Sequence, residues 1–510
     1  MAWFRRLRGG CSPVSGRAEI RSGSGSSSQL ALVAAAVLSG ALLFAGGCGN
    51  QYRPVITPIQ PTGPANLPSA DVLIASQPGY SPLAPGSTIP CSGTTYPNPS
   101  IYTLVDFAGD SIMNQANGGN GPLTFSLESG GANAYAPNCD GTLTTAIGTT
   151  TSLLTKYVQN STLLPGAAPT NTLFADSNLY VVETGLHGPT CLATNCVAQM
   201  TGSPEGLKQE IPVAPSLINL TGYSTGERVY AISQGNSSGA AGQPAWGDCG
   251  TPSAVGVNGE ADAIETTTNT ISARLPLGIC PVFGFQTPDE QRAFIMNRGS
   301  GTVTVINTEL NAIDSAHPSI SVGAGPVYAD YYRSGEVLVT ANYDSNTISI
   351  IDVSLDQYQN DSSTFGKVLA TVPVGLHPVQ VSVLQDGSRV YVANQGDIGA
   401  GTCTNGLPCV PGSVSVVNLT NYSVEKTIAL TANPHSIGSI YNYPIGKVYV
   451  ASQNSPYLTI IRTDTDVISA TPEMQGNIVE MRVNAQYPAA SSAGARNYQT
   501  ESTAVGSGAP

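Results

Sequence analysis

The stretch GLHPVQVSVLQDGSRVYVANQ, residues 375–395, contains two short strand patterns joined by a polar turn. In residues 379–383, VQVSV, valine alternates with polar residues, as is typical of a strand whose two faces meet different environments. The turn QDGS follows, and its Asp-Gly step favours a tight reversal of the chain. The next segment, Arg389–Asn394, is rich in β-branched and aromatic residues, which favour strands. The stretch therefore predicts an antiparallel hairpin that begins at Pro378.

The second strand of this hairpin recurs along the chain. Clear copies are Lys447–Ser452 (KVYVAS), Arg292–Asn297 (RAFIMN) and Val337–Asn342 (VLVTAN), and weaker copies end at Ser76, Asn138, Glu183 and Ser233. Successive copies end about 45 to 64 residues apart, and a repeat whose shortest period is about 40 to 50 residues indicates a propeller or a solenoid.

A second marker, a turn that ends in proline, has the same period. The prolines that precede the seven later copies are Pro122, Pro169, Pro215, Pro281, Pro326, Pro378 and Pro434. Each copy is followed by a third strand pattern, as in residues 302–306 (TVTVI), 347–351 (TISII) and 413–417 (SVSVV), and then by a fourth, as in residues 424–430. Four antiparallel strands per repeat predict an all-β fold, a single β-propeller of four-stranded blades.

The two ends of the repeat array complement each other. Residues 71–76 form a second strand with no first strand before it, whereas residues 477–484 look like a first strand with no blade after it. A composite blade made from both ends would remove the exposed edges of an open array. We therefore expect eight blades closed by a composite blade, with seven as the alternative if residues 133–138 are not a blade strand.

The motifs in residues 375–395 and in NTISIIDV, residues 346–353, resemble the YVTN family of propeller repeats. The resemblance runs from about Asp71 to Asn484 and is strongest from Cys280 onward. Members of that family are often seven-bladed and include surface-layer and lactonase-like proteins. The resemblance implies an architecture much more than an activity, because one fold carries many functions.

The first residues look like an export signal. Five arginines precede an apolar run at residues 30–44, which is short for a membrane span. The run ends in Ala45-Gly46-Gly47-Cys48, which resembles a bacterial lipobox, with an ordinary secretory signal as the alternative. We expect a lipoprotein signal peptide at 1–47, lipidation of Cys48, a Pro-rich tether at 48–70, the propeller at 71–484 and a disordered tail at 485–510.

Charge and cysteine content agree with export. The chain of 510 residues has only 10% charged residues and a net charge of −13, and loss of the Arg-rich leader makes it more acidic. This charge argues against a nucleic-acid partner. Pairing of neighbours would join Cys91 to Cys139, Cys191 to Cys196, Cys249 to Cys280 and Cys403 to Cys409, although eight cysteines allow 105 connectivities. Zinc ligation is the rival use of these cysteines, but no CxxC pair is present.

The longest connections follow second strands, at residues 77–99, 234–259 and 395–412, with a shorter one around Cys191 and Cys196. Strand alternation places the connections after second strands and the Pro-ending turns at one end of the propeller, and all eight cysteines map to these two classes of loop. We therefore expect one elaborated face and one plain face. On the elaborated face, His377 and His435 occupy equivalent turns of adjacent blades and are the candidate binding residues, and His187 approaches the same axial mouth.

No nucleophile elbow, haem attachment motif, metalloprotease helix, P-loop or dinucleotide fingerprint is present, so no catalytic residue, metal or cofactor is predicted. The favoured hypothesis is an envelope or surface module, anchored to a membrane by its lipid, that binds a protein, glycan or small molecule through the loop face in the bacterial periplasm or at the cell surface. One alternative is a lactonase-like hydrolase with a site at the axial mouth. Another is a periplasmic redox or metal-binding propeller.

Overall fold

A computed structural model describes residues 71–78, 98–127, 133–138, 142–147, 158–201, 206–222, 226–234, 258–287, 289–332, 336–384, 386–397, 410–440 and 445–484. These residues form an all-β structure. They contain no helix, and thus none long and apolar enough to cross a membrane. The predicted leader, the lipidation site Cys48, the tether and the tail lie outside the described residues.

The described strands form eight antiparallel sheets, which we number as blades from the inner strand outward. Blade 1 consists of β33 (Asn477–Asn484), β1 (Asp71–Gln77), β2 (Ile101–Asp106) and β3 (Ile112–Asn117). Blade 2 consists of β4 (Ser126–Leu127), β5 (Asn133–Pro137), β6 (Thr142–Ile147) and β7 (Val158–Thr162). Blade 3 consists of β8 (Pro169–Ala175), β9 (Asn178–Glu183), β10 (Cys196–Thr201) and β11 (Gly206–Pro212). Blade 4 consists of β12 (Leu217–Gly222), β13 (Arg228–Ser233), β14 (Asn258–Glu265) and β15 (Thr270–Ile279).

The second half of the chain continues the pattern. Blade 5 consists of β16 (Pro281–Gln286), β17 (Arg292–Asn297), β18 (Thr302–Asn307) and a fourth strand divided into β19 (Ala312–Ile313) and β20 (Ser319–Ser321). Blade 6 consists of β21 (Pro326–Tyr332), β22 (Val337–Asn342), β23 (Thr347–Asp352) and β24 (Val368–Pro373). Blade 7 consists of β25 (Pro378–Val383), β26 (Arg389–Asn394), β27 (Ser413–Asn418) and β28 (Ser423–Ala429). Blade 8 consists of β29 (Pro434–Ile440), β30 (Lys447–Ser452), β31 (Thr459–Arg462) and β32 (Val467–Ala470).

The predicted closure of the array is confirmed. Seven blades are built from consecutive strands, and the remaining sheet pairs β1 with β33, in a register that sets Asp71 opposite Asn484. Inner strands of successive blades pack side by side around the whole array, and β33 contacts both β29 and β4. The ring therefore closes through pairing of the two ends of the propeller, so that each of the eight described sheets packs between two neighbours.

Burial falls from the inner strands toward the rim. In blade 7 the second strand β26 is buried beyond its first residue, whereas the fourth strand β28 exposes most of its side chains. The second and third strands are covered on both faces by neighbouring blades, so they read as apolar runs, while the outer strand faces water. Hydrophobic clusters accordingly span adjacent blades, the largest extending from blade 5 to blade 7.

The asparagine that ends the repeated second strand connects three parts of a blade. Asn394 Nδ2 donates to the hydroxyls of Ser413 (3.2 Å) and Ser415 (2.9 Å) on the third strand. A Cβ on Gly375, in the turn before the first strand, would lie 2.6 Å from Asn394 Cγ. The same arrangement joins Gly278, near the end of β15, to Asn297 and Thr304 in blade 5, and Gly323, in the turn before β21, to Asn342 and Ser349 in blade 6. Packing therefore explains why the repeat couples glycine, asparagine and hydroxyl residues.

The basic residue that opens the repeated strand connects neighbouring blades. Arg389 Nη1 lies 2.7 Å from Asp466 Oδ2 in the turn between β31 and β32, and Tyr391 donates its hydroxyl to Asp466 Oδ1 at 2.5 Å. Equivalent contacts to the next blade are Arg228 to the Thr308 carbonyl, Arg292 to Asp361 and Lys447 to Asp110. Burial and the Asp466 carboxylate raise the pKa of Tyr391 above its usual range, so this hydroxyl remains a hydrogen-bond donor.

The two ends of the propeller differ. The loop face is defined as the end at which the second strands finish. There the strands β1, β9, β13 and β26 end, and the next strand of each blade begins more than ten residues later. The turn face is the opposite end, where first strands turn into second strands. The expectation that the turn face is plain is wrong at one place, because residues 353–367 between β23 and β24 form a long connection there, closed by an isolated bridge between Leu355 and Asp361.

Candidate functional site

His377 lies on the loop face, in the turn before β25, where the sequence placed it. The residue has a positive φ of 54°, and its backbone N–H donates to Asn346 Oδ1 at 2.8 Å. Its ring stacks on Tyr343, with centroids 4.5 Å apart, and its Nδ1 donates to the Gly396 carbonyl at 3.0 Å. These contacts fasten the turn of blade 7 to blade 6.

His435 points into the propeller beside blade 1. Its Nε2 donates to the Val479 carbonyl on β33 at 2.9 Å, and its Nδ1 is buried without a hydrogen-bond partner among the described residues. Burial lowers the pKa of this imidazole, against the opposing effect of the Glu480 carboxylate. His377 therefore contacts blade 6, while His435 contacts blade 1. These contacts lead in opposite directions around the propeller, so they do not bring the two imidazoles together as ligands of one ion.

One predicted disulfide is present among the described residues. Cys191 and Cys196 are bonded, with their Cα atoms 5.8 Å apart, and Cys196 is the first residue of β10. Cys280, between β15 and β16, is also disulfide-bonded. Its predicted partner Cys249 and the remaining predicted disulfide cysteines, Cys91, Cys139, Cys403 and Cys409, lie outside the described residues. The loop face is thus covalently constrained at blade 3.

The disulfide loop covers a buried cluster of acidic and histidine side chains. Glu183 ends β9, His187 lies four residues later, and Glu210 belongs to β11, the outer strand of the same blade. His187 Nε2 lies 2.5 Å from Glu210 Oε1 and 3.5 Å from Glu183 Oε2. The Cys191 sulfur lies 3.6 Å from Glu210 Oε2. The Glu183 side chain has no exposed surface, and both of its carboxylate oxygens lack a hydrogen-bond partner among the described residues.

Local backbone geometry sets the orientation of the imidazole. His187 Nδ1 lies 3.1 Å from the Gly185 carbonyl, which can only accept, so Nδ1 carries the hydrogen of the neutral ring. A Cβ at Gly185 would lie 1.7 Å from the Gly166 carbonyl oxygen, so only glycine allows this close crossing of the two loops. The remaining nitrogen, Nε2, therefore faces both carboxyl groups and forms its hydrogen bond with Glu210.

Charge in this cluster is poorly compensated. Burial, and then the neighbouring Glu210, raise the pKa of Glu183 to about 8. Among the described residues, neither carboxylate forms an ion pair with lysine or arginine. His187 was expected near the axial mouth, whereas neither glutamate was predicted as a site residue. The Glu183-x-x-x-His187 spacing after a strand was an available signal, whereas Glu210 becomes a neighbour only through the sheet.

A second cluster of acidic and histidine side chains lies on the turn face, and there a basic residue balances the acidic charge. His317 Nδ1 lies 2.7 Å from Asp361 Oδ2, and Asp314 is nearby. Arg292 approaches both carboxylates, at 2.8 Å from Asp361 Oδ1 and 3.6 Å from Asp314 Oδ2. A guanidinium thus occupies the position of the counter-charge, so this cluster is an ion-pair network that ties blade 5 to blade 6.

Polar side chains of the inner strands connect blades along the axis. Asp330 Oδ2 accepts from the Val383 N–H at 2.7 Å, and Gln380 Oε1 accepts from the Ile437 N–H at 2.8 Å. Arg482 Nε donates to the Phe125 carbonyl at 3.2 Å. These groups line a pocket between blades 6, 7, 8 and 1, and the contacts described use them to hold neighbouring inner strands in register.

Comparison with known proteins supports the fold. The model of the choice-of-anchor I domain family matches residues 287–441. No curated protein matches the chain. The structure of apo AztD from Citrobacter koseri is similar at a TM-score of 0.50 and 12% identity, covering 81% of this chain and 98% of that one. The dihydro-heme d1 dehydrogenase NirN in complex with DHE is similar at a TM-score of 0.54 and 12% identity, covering 83% and 77%. At such identities the likeness shows a shared propeller fold.

Proposed function

We propose that this chain is an exported propeller, lipid-anchored through Cys48, that binds a component of the bacterial cell envelope through its loop face. The observation that carries the proposal is the difference between the two faces of the propeller. The second strands β1, β9, β13 and β26 end at the loop face, each more than ten residues before the next strand begins, and the Cys191–Cys196 disulfide lies at that face, whereas the described residues show one long connection at the turn face. Elaborated loops on a rigid scaffold are where binding residues concentrate.

The direction of the end strands supports this orientation. β1 is the second strand of its blade and starts at the turn face with Asp71, and β33 finishes at the same end with Asn484. The predicted tether, residues 48–70, therefore joins the propeller at the turn face. A lipid on Cys48 would hold that face toward the membrane and leave the loop face free for a partner.

Exposed apolar side chains on the loop face are suited to contact with a partner. Leu164, Leu186 and Leu192 are all exposed, and they come from the two connections that cross at Gly185. Leu192 is 69% exposed within the disulfide loop. Grouped apolar residues on a soluble surface frequently mark an interaction site.

A matched pair of substitutions tests which face binds. Leu192 on the loop face and Leu310 on the turn face, 69% and 72% exposed, offer equivalent surface positions. We expect Leu192→Glu to weaken cosedimentation of the purified chain with isolated cell envelopes by about tenfold, and Leu310→Glu to leave it unchanged. Equal loss in both variants, or binding that survives Leu192→Glu together with Leu186→Glu, would contradict a loop-face site.

The anchor is tested separately. Cells grown with a radiolabelled fatty acid should label the wild-type chain and not the Cys48→Ser variant, which should also leave the membrane fraction. Label that persists in Cys48→Ser, or a wild-type chain that takes up none, would exclude lipidation at this cysteine.

A further inference from the structure

We propose that Glu183, His187 and Glu210 form a binding site for one divalent transition-metal ion, with Zn²⁺ the expected occupant. The proposal does not depend on the lipid anchor or on the envelope partner. Its first basis is geometric, because one ligand atom from each residue lies within 4.8 Å of the others, in the interior of blade 3. These atoms come from β9, from the loop after it and from β11.

The distances suit an ion of the size of zinc. Zinc bonds to imidazole nitrogen and carboxylate oxygen are about 2.0 to 2.2 Å long, so tetrahedral ligands lie roughly 3.3 to 3.6 Å apart. The separation of 3.5 Å between His187 Nε2 and Glu183 Oε2 already fits. Glu210 Oε1, at 2.5 Å from Nε2, has to move away by about 1 Å to share an ion.

The unpartnered carboxylate is an independent observation that points to a cation. Glu183 is fully buried, both its oxygens lack hydrogen-bond partners among the described residues, and Oε2 faces His187 Nε2. A buried carboxylate without compensation is costly. A proton shared by His187 and Glu210 would satisfy that pair and leave Glu183 unpartnered, whereas a metal ion at the centre uses all three ligands.

The imidazole is already oriented as a ligand. Its Nδ1 is held by the Gly185 carbonyl, so Nε2 faces the carboxyl groups, and a metal ion would take the place of the proton between Nε2 and Glu210. Histidine ligands of metals commonly donate their second nitrogen to a backbone carbonyl in this way, which fixes tautomer and ring orientation. The turn-face cluster around His317 differs, because Arg292 supplies its positive charge.

The disulfide positions the loop without joining the ligand set. Cys196 pairs with both Glu183 and Pro212 in the sheet, so its bond to Cys191 holds the segment containing His187 over β11. A disulfide sulfur is not a thiolate, so the oxidised protein offers one nitrogen and two carboxylates. Three protein ligands leave a fourth position for water, and a set that includes imidazole favours zinc over calcium or magnesium.

Metal binding to the full-length chain, purified in detergent with its disulfides intact and stripped with a chelator, tests the proposal. Calorimetric titration with Zn²⁺ should give one site per chain with a dissociation constant below micromolar. We expect His187→Ala and Glu183→Gln to weaken binding by on the order of 100-fold or more, since each removes a direct ligand. His317→Ala, the matched control, should bind zinc as the wild type does.

Three results would overturn the assignment: a wild type that takes up no equivalent of Zn²⁺, variants of Glu183 and His187 that bind like the wild type, or an equal loss in His317→Ala. Urea midpoints of all variants in chelator separate lost ligation from lost folding, and Glu210→Gln supplies a second ligand variant of unchanged size. Cobalt substitution adds a spectroscopic check, because a thiolate-to-cobalt charge-transfer band in the oxidised protein would place the ion on cysteine instead.

Discussion

The glycine and asparagine of the repeat should behave as a coupled pair, and blade 7 allows the coupling to be measured. Asn394 is buried and donates to Ser413 and Ser415. Its replacement by alanine removes two hydrogen bonds at about 1 kcal/mol each, so Asn394→Ala should cost about 2 kcal/mol. Gly375→Ala would place a Cβ 2.6 Å from Asn394 Cγ. Because the two hydrogen bonds hold the Asn394 side chain in place, this close contact should lower the free energy of unfolding by about 1 to 3 kcal/mol.

The double variant distinguishes coupling from independent damage. Once Asn394 is alanine, the new Cβ at position 375 no longer meets Cγ and Nδ2, and only its contact with the Cβ of residue 394, at 2.8 Å, remains. Gly375→Ala/Asn394→Ala should therefore cost less than the sum of the single variants. Urea unfolding followed by circular dichroism gives each free-energy difference from the shift in midpoint. Gly109→Ala is the control, because a Cβ there would meet only side-chain oxygens, at 3.3 Å.

Additive costs in the double variant would refute this explanation of the repeat. The same conclusion would follow if Gly375→Ala were no more costly than Gly109→Ala. Gly375 does not have a positive φ, so backbone strain does not contribute to the expected loss.

Three further results are expected. Replacing Cys191 and Cys196 together by alanine should lower the free energy of unfolding by about 2 kcal/mol, because the unfolded chain regains the conformational entropy that the short disulfide loop removes. Thermal melts that match the wild type would contradict this. Burial raises the pKa of Tyr343 to about 12 from 10. The unfolded chain therefore loses this proton at a lower pH than the folded chain does. The free energy of unfolding should fall by on the order of 2 to 3 kcal/mol between pH 10 and 12. Tyr343→Phe should reduce the corresponding fall of the urea midpoint over this pH range. Asp466→Asn should cost about 1 to 3 kcal/mol in urea, because it weakens the contact with Arg389 and Tyr391, and an unchanged midpoint would show that the inter-blade contact contributes nothing.

Much of the architecture followed from local signals. Five of the marker prolines open an inner strand, as at Pro378 and Pro434, and in both of these strands the pairing shifts register directly after the proline. Proline lacks a backbone donor and suits the start of a strand or a bulge, so it marks the same place in each repeat. The composite blade was predictable because residues 71–76 had no first strand before them, whereas residues 477–484 formed a first strand with no blade after it.

Other features of the fold were not encoded in the repeat. The fourth strand of blade 5 is divided into β19 and β20, with Asp314 and His317 between them. The connection at residues 353–367 lies on the turn face and brings Asp361 to Arg292 of the neighbouring blade. Both features depend on contacts between blades, which a repeat pattern within one blade does not describe.

The sequence by itself determined the strands, their order, the closure by the two ends and the pairing of Cys191 with Cys196, because each of these rests on residues near one another or on a period repeated along the chain. Only the tertiary structure decided which side chains meet. It directed His377 to blade 6 and His435 to blade 1. It also brought Glu210, across β10, to His187 and Glu183. Side-chain direction depends on sheet register and on loops crossing at Gly185, and neither leaves a period in the sequence.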